Sequence, residues 1–228
     1  MTNTAGFTLM ELFIMGGPLM WPLLAFSIAA LAITLERGIF LFYHNLKLRD
    51  LKEKTEEALR EGRITGLEEY LEGQSKRRMG ARVLLSLVRR RGYSEHRLEK
   101  AVEAEAMKCI SSLESGFNFL TALGSISPLT GFLGTVTGMI GAFRSIAEAE
   151  DVNAQIVANG IYEALITTVF GLMIAILAMS AHSVFSNKVD RFASDLEEAC
   201  SDLIIVIAES GENRAGEKNA GENAENEN

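Results

Sequence analysis

The sequence predicts an all-α polytopic membrane protein with three transmembrane helices, two of them long and extending into the cytoplasm. Charge is almost absent from three long windows and dense between them, although 23% of the 228 residues are charged. Those windows have the length needed to cross roughly 30 Å of hydrocarbon at 1.5 Å per helical residue. Within the third, VNAQIVANGIYEALITTVFGLMIAILAMSAHSV from Val152 to Val184, Glu163 is the only formal charge. A carboxylate in a membrane span costs roughly 2.5–3.5 kcal/mol on insertion scales, so it must face protein or water rather than lipid.

Residues 1–14 read as an extracytoplasmic segment and 15–43 as the first span. The apolar core of that span, Leu19 to Leu35, is just long enough to cross. Pro18 and Pro22 sit in its opening turn, where a missing N–H does little damage. Trp21 and Tyr43 lie near the two ends, as interfacial anchors do, and Glu36-Arg37 forms a neutral pair near the inner interface. No Lys or Arg precedes the apolar run and no small-residue cleavage site follows it, so an uncleaved span is expected rather than a signal peptide.

Residues 44–114 read as a cytoplasmic helical insert. Leu48, Leu51, Thr55, Ala58 and Leu59 recur at helical spacing, and Gly62 and Gly66 are expected to break that pattern. A second helical run covers Ala81 to Arg91. A third starts near Ser94, without a capping box, and is expected to flow into the second span, 115–146. That span carries no charge from Ser115 to Phe143, 29 residues that would reach about 44 Å as a helix. A short link (147–154) leads to the third span (155–186), then a cytoplasmic helix (187–208). The acidic, low-complexity tail 209–228 is expected to be disordered.

Orientation follows from the basic residues. None of the 22 Lys and Arg precedes Glu36, and sixteen fall between His44 and Ser115. The stretch from Ser145 to Gln155 holds Glu148, Glu150 and Asp151 but no base, whereas Lys188 and Arg191 follow the third span. The positive-inside bias therefore puts the N-terminus and the link in the periplasm, and the insert and C-terminus in the cytoplasm.

Other chemistry is sparse. Cys109 and Cys200 both map to the cytoplasmic side as free thiols, and His44, His96 and His182 lack metal-ligand spacing. There is no phosphate loop, nucleophile elbow or paired catalytic carboxylate, so neither an enzyme nor a metal site is expected. The clusters Lys76-Arg77-Arg78 and Arg89-Arg90-Arg91 are nearly balanced by acids and lack stacking aromatics. They suit a solvated face or anionic membrane lipids, and no nucleic acid is expected.

The second span is rich in small residues: Gly124, Ser127, Gly131, Gly134, Gly138 and Gly141, with Gly134 and Gly138 forming a GxxxG. Such a pattern lets helices approach closely in lipid, and helix packing accounts for most of these glycines. Thr135 and Thr137 add hydroxyls, which can serve a transport path or simply bond their own helix. In the third span Ala164, Thr168, Gly171, Ala175 and Ala178 form a small-residue stripe. Thr167, four residues after Glu163, shares nearly the same helical face, while Thr168 lies about 140° away, facing a packed neighbour. Glu163 itself is a candidate for an ion or proton path, against the alternative of a carboxylate snorkelling to the surface.

Two stretches, SPLTGFLGTVTGMIGAF (Ser127 to Phe143) and GIYEALITTVFGLMIAI (Gly160 to Ile176), resemble the signature segments of the MotA/TolQ/ExbB proton-channel family. GGPLMWPLLAFSIAALAITLER resembles that family's first span, and three spans favour its ExbB/TolQ side over the four-span flagellar stator. The resemblance implies a ring-forming oligomer, typically a homopentamer in the bacterial inner membrane. An ExbD- or TolR-like single-span partner would occupy the pore, coupled to a TonB- or TolA-like protein. It places Glu163 at the family's intramembrane carboxylate and Thr135 and Thr168 at its channel hydroxyls. The coupling ion it implies is the proton, with sodium open as an alternative and no cofactor. The expected function is a motor subunit converting proton-motive force into mechanical work for TonB-type outer-membrane transport. Tol-type envelope maintenance and a passive membrane scaffold are the alternatives. The sequence departs from the family at Leu177, where a proline is usual, and at His182-Ser183, which replace an aromatic-Asn pair.

Overall fold

The computed structural model describes residues 9–44, 46–148 and 154–226. Within them the chain is helical: α1 (Leu9–Met15), α2 (Met20–Tyr43), α3 (Arg49–Arg60), α4 (Ile64–Gln74), α5 (Met79–Arg89), α6 (Glu95–Glu114), α7 (Phe117–Glu148) and α8 (Ala154–Asn226). Three helical stretches are long and apolar enough to cross a membrane, falling in α2, in α6 with α7, and in α8. The expected N-terminal residues 1–8, and 149–153 of the expected link, lie outside the described residues.

The helices divide into two compact units, the first built from residues up to Gly38 and from Gly116–Phe185, the second from Ile39–Ser115 and from Ser186 onward. In the first, Met20, Leu23 and Ala30 of α2 meet Leu120 of α7 and Ile166, Ile174 and Ala178 of α8 in one apolar core. Large apolar side chains also point outward: Trp21, Leu24, Ile28, Leu31 and Leu35 form a stripe along α2, and Phe132, Val136, Ile140 and Phe143 do so on α7. Those faces suit hydrocarbon or a neighbouring subunit.

Within the expected first span, the long helix α2 begins at Met20. Before it the chain forms the short helix α1 and then turns at Gly16–Leu19, closed by bonds from Met20 N to Gly17 O (3.2 Å) and from Trp21 N to Pro18 O (3.3 Å). Gly17 has φ +69°, a conformation that costs an L-residue about 1–2 kcal/mol. Phe13 of α1 packs edge-on against Trp21, with centroids 5.4 Å apart. The expected run from the insert into the second span is interrupted: α6 ends at Glu114, and Gly116 at φ +86° separates it from α7.

In the second unit α5 is buried nearly all round, which its apolar run Val83-Leu84-Leu85 and Leu87-Val88 requires. It packs against α4 and α6, and Gly80 lies beside Leu48 and Phe192. Arg78, just before α5, grips Asp50 bidentately (2.6 and 2.5 Å) and also donates to the Lys47 carbonyl. Lys52 of α3 pairs with Asp202 (2.5 Å) and Glu198 (3.3 Å) of α8. Gly66 does not break a helix but sits inside α4, whose Leu67 and Leu71 are buried, so packing outweighs its roughly 1 kcal/mol propensity cost. The acidic segment after Glu209 also differs from expectation: its backbone is helical to Asn226, where Glu, Ala and Lys favour that state.

Candidate functional site

The seam between α7 and α8 is built by absent side chains. A Cβ added to Gly131 would lie 2.8 Å from the Thr167 carbonyl oxygen, and one on Gly171 would lie 2.6 Å from that of Ser127. A Cβ on Gly138 would meet the Ala164 Cβ at 3.0 Å, and one on Gly134 would strike Thr167 Oγ1 at 2.2 Å. All four glycines singled out for packing therefore lie in the seam, Gly131, Gly138 and Gly171 against the facing backbone and Gly134 against the Thr167 side chain. Pro128 stays within α7, and the nearby Ser127 hydroxyl donates to the Leu123 carbonyl at 2.6 Å.

Three threonine hydroxyls gather around two backbone carbonyls at this seam. Thr135 and Thr168 are hydrogen-bonded to each other. Thr168 Oγ1 also lies 3.1 Å from Gly131 O, and Thr135 Oγ1 lies 3.2 Å from Ala164 O and 3.3 Å from Gly131 O. Thr167, almost fully buried, reaches Ala164 O at 2.8 Å and Gly131 O at 3.3 Å. Each hydroxyl carries one proton, so the three cannot satisfy every contact at once, and more than one donor arrangement is available.

Glu163 lies half-buried one turn before Thr167, and its carboxylate rests on Gly17. A Cβ at Gly17 would sit only 1.9 Å from Glu163 Oε1. The carboxylate borders a cleft of about 330 Å³ lined by the Gly16–Leu19 turn, by Gly134, Thr137, Gly138, Gly141, Ala142 and Ser145 of α7, and by Gly160 and Thr167 of α8. Among the described residues no cation or hydrogen-bond donor engages it.

The structure thus brings Thr167 together with Glu163 along one cleft and seats Thr135 and Thr168 in the packed seam beside it. Both placements follow the 100° per residue of an α-helix. Sequence reasoning missed Gly17 and Ser145. Gly16-Gly17-Pro18 was a visible helix-breaking signal, but nothing in the sequence alone pairs that turn with Glu163. At Leu177, where the family pattern has proline, α8 continues without interruption and the side chain points outward, 67% exposed. His182 packs edge-on against Phe117, with centroids 5.8 Å apart.

These features define a helical, multi-span membrane protein with one carboxylate set among glycines and hydroxyls inside its apolar unit. Residues 71–198 match the model of the MotA/TolQ/ExbB proton channel family, and the chain belongs to that family. It is 34% identical over 197 residues to a biopolymer transport protein of Synechocystis designated ExbB-like 1, covering 82% of this chain and 75% of that one. It is 31% identical over 124 residues to the biopolymer transport protein ExbB of Pseudomonas putida, covering 54% of this chain and 36% of the relative. It is also 37% identical over 98 residues to the Tol-Pal system protein TolQ of Haemophilus influenzae, covering 43% of each.

Proposed function

We propose that this chain is the proton-channel subunit of an ExbB/TolQ-type motor in the bacterial inner membrane, converting proton-motive force into mechanical work for outer-membrane transport through a TonB-type partner. One observation carries the reading: Glu163, the sole charge in its apolar stretch, borders a cleft and has no countercharge among the described residues. A structural carboxylate would be expected to have a partner; a proton-handling one needs access to solvent and freedom to change its charge.

In this reading the subunits form a ring, typically a pentamer, around an ExbD- or TolR-like single-span helix that carries its own carboxylate. The N-terminus is periplasmic and the C-terminus cytoplasmic. Each proton crossing releases roughly 2.3 kcal/mol per 100 mV of membrane potential. Protonation of the partner carboxylate from the periplasm and its release inside alternately weaken and restore its interaction with Glu163 and with the Thr135, Thr167 and Thr168 hydroxyls. Uneven attraction around a ring produces stepping. The glycine seam of Gly131, Gly134, Gly138 and Gly171 would keep α7 and α8 rigid while the partner moves. Protons are the coupling ion, with sodium as the alternative for a hydroxyl-rich path.

The TolQ relative supports a second reading, a Tol-type role in envelope maintenance using the same chemistry. Deleting the gene and scoring siderophore uptake against detergent sensitivity separates the two. A passive scaffold would have no use for Glu163. The test of the motor reading is Glu163→Gln: coupled work is lost while the ring still assembles, and retained work means the chain is a scaffold.

A further inference from the structure

The helix α5 is buried on every face but one. Its outward stripe is Arg82, Ser86 and Arg89, continued by Arg90 at the C-cap, which is the i, i+4, i+7, i+8 spacing of a single helical face. That stripe lines a cavity of about 510 Å³ within the second unit, together with Glu72 and Ser75 from the end of α4 and Glu105 of α6. Two of the three guanidiniums are neutralised in place. Arg89 Nη2 lies 2.9 Å from Glu72 Oε2, and Arg82 Nε lies 3.0 Å from Glu105 Oε1. Arg90 is the surplus cation: half-buried, it donates to the Ser86 hydroxyl, and no carboxylate pairs with it among the described residues. Lys108 also reaches Glu105, at 3.4 Å, which adds a second positive charge in excess. A helix C-terminus favours cations, which accounts for Arg89 and Arg90 but not for Arg82, placed in the first turn of α5 where the dipole opposes it.

We propose that this cavity is a binding site for a phosphomonoester group, carried by a soluble metabolite or by a lipid headgroup; the proposal is independent of the proton-channel reading above. The guanidinium fork of Arg90 keeps N–H donors in the geometry that grips phosphate oxygens two at a time. Ser86 accepts from Arg90, so its own proton is available to donate to the same group. The Ser75 hydroxyl is already spent on the Glu72 carbonyl at 2.7 Å. A phosphomonoester carries a charge of about −1.5 to −2 at pH 7, which matches the local excess of positive charge better than a singly charged diester or carboxylate does. The volume falls inside the roughly 300–1,000 Å³ of small-molecule sites, and Leu85 offers an apolar contact to the organic part. By the distribution of basic residues the insert is cytoplasmic, on the side of the membrane where phosphorylated metabolites are held.

Calorimetric titration of the full-length protein in phosphatidylcholine nanodiscs tests this. The probes are glycerol 3-phosphate and dihexanoyl phosphatidic acid, with glycerol as the control that lacks phosphate. At least one phosphomonoester should bind more tightly than about 1 mM, and glycerol should not. Binding of glycerol 3-phosphate marks a soluble metabolite as the source, binding of phosphatidic acid alone marks a lipid headgroup, and both keep the assignment. Arg90→Gln should weaken binding about tenfold or more. Its charge-matched control is Arg91→Gln, whose arginine pairs with Glu68 and does not line the cavity. Glu72→Gln, by releasing Arg89, should tighten binding about two- to fivefold. Glu69→Gln makes the same charge change at an exposed position outside the cavity and should leave affinity unchanged. If Arg90→Gln does not assemble, Arg82→Gln carries the same comparison, its side chain being 59% exposed. No phosphomonoester binding tighter than about 1 mM would overturn the site. So would equal losses in Arg90→Gln and Arg91→Gln, or equal gains in Glu72→Gln and Glu69→Gln, since either would reduce the effect to net charge.

Discussion

Replacing Gly17 by alanine would move the Glu163 carboxylate by a distance the structure specifies. The new Cβ would start 1.9 Å from Oε1 and 2.9 Å from Cδ, and real Cβ contacts essentially never fall below 3.0 Å. The carboxylate oxygen must therefore retreat by about 1.1 Å. Gly17 also has φ +69°, which adds about 1–2 kcal/mol of backbone strain to the variant. A displacement of about 1 Å at a reacting group can cost on the order of 100-fold. Proton flux into liposomes holding the chain with its partner should fall between about tenfold and 100-fold. Strain alone would lower stability without singling out flux, so the informative comparison is a double-mutant cycle. Glu163→Asp shortens the side chain by one methylene and withdraws the carboxylate from the clash. Gly17→Ala should then cost much less flux in the Glu163→Asp background than in the wild type, while its stability cost is the same in both. Full flux in Gly17→Ala, or losses that simply multiply, would refute the idea that this turn positions Glu163.

Gly131→Ala and Gly171→Ala should each destabilise the protein by about 1–3 kcal/mol, because their Cβ atoms would press on backbone oxygens that cannot swing away. Gly141→Ala, with nothing near its Cβ, should instead be neutral or up to about 1 kcal/mol more stable; thermal melts in detergent check all three. The hydrogen bonds from Arg78 hold the Asp50 carboxyl below its usual range despite some burial. A folded-state pKa below the unfolded one means the stabilisation is complete above the unfolded value near 3.8 and is lost as pH falls through the folded one. Because the Asp50 side chain is 55% exposed, the effect is at most about 1 kcal/mol. Wild type should melt higher than Asp50→Asn at pH 7, and the gap should close on acidification below pH 4.

Much of the membrane architecture was legible because lipid imposes strong rules. A helix must satisfy its own backbone in hydrocarbon, so long uncharged windows translate directly into spans. Glu163 stood out for the same reason, and helical periodicity placed Thr167 on its side of α8, although Thr167 and Thr168 both reach the Gly131 carbonyl in the seam. The failures share a different cause. Gly66 looked like a breaker but is carried inside α4 by the burial of Leu67 and Leu71, a tertiary effect invisible to local propensity. Gly116 was read as part of one continuous run, yet only glycine suits its φ of +86° between α6 and α7. The pairing of Gly17 with Glu163 joins residues far apart in sequence, which no spacing argument could link.

The measurement that bears most directly on the central claim is proton flux through the assembled complex in liposomes, wild type against Glu163→Gln. The substitution keeps the shape of the side chain and removes its charge. Flux lost in Glu163→Gln while subunit stoichiometry and partner binding stay unchanged is the predicted result. Equal flux in the two proteins would contradict it, since a proton path that does not need Glu163 must lie elsewhere in the membrane unit.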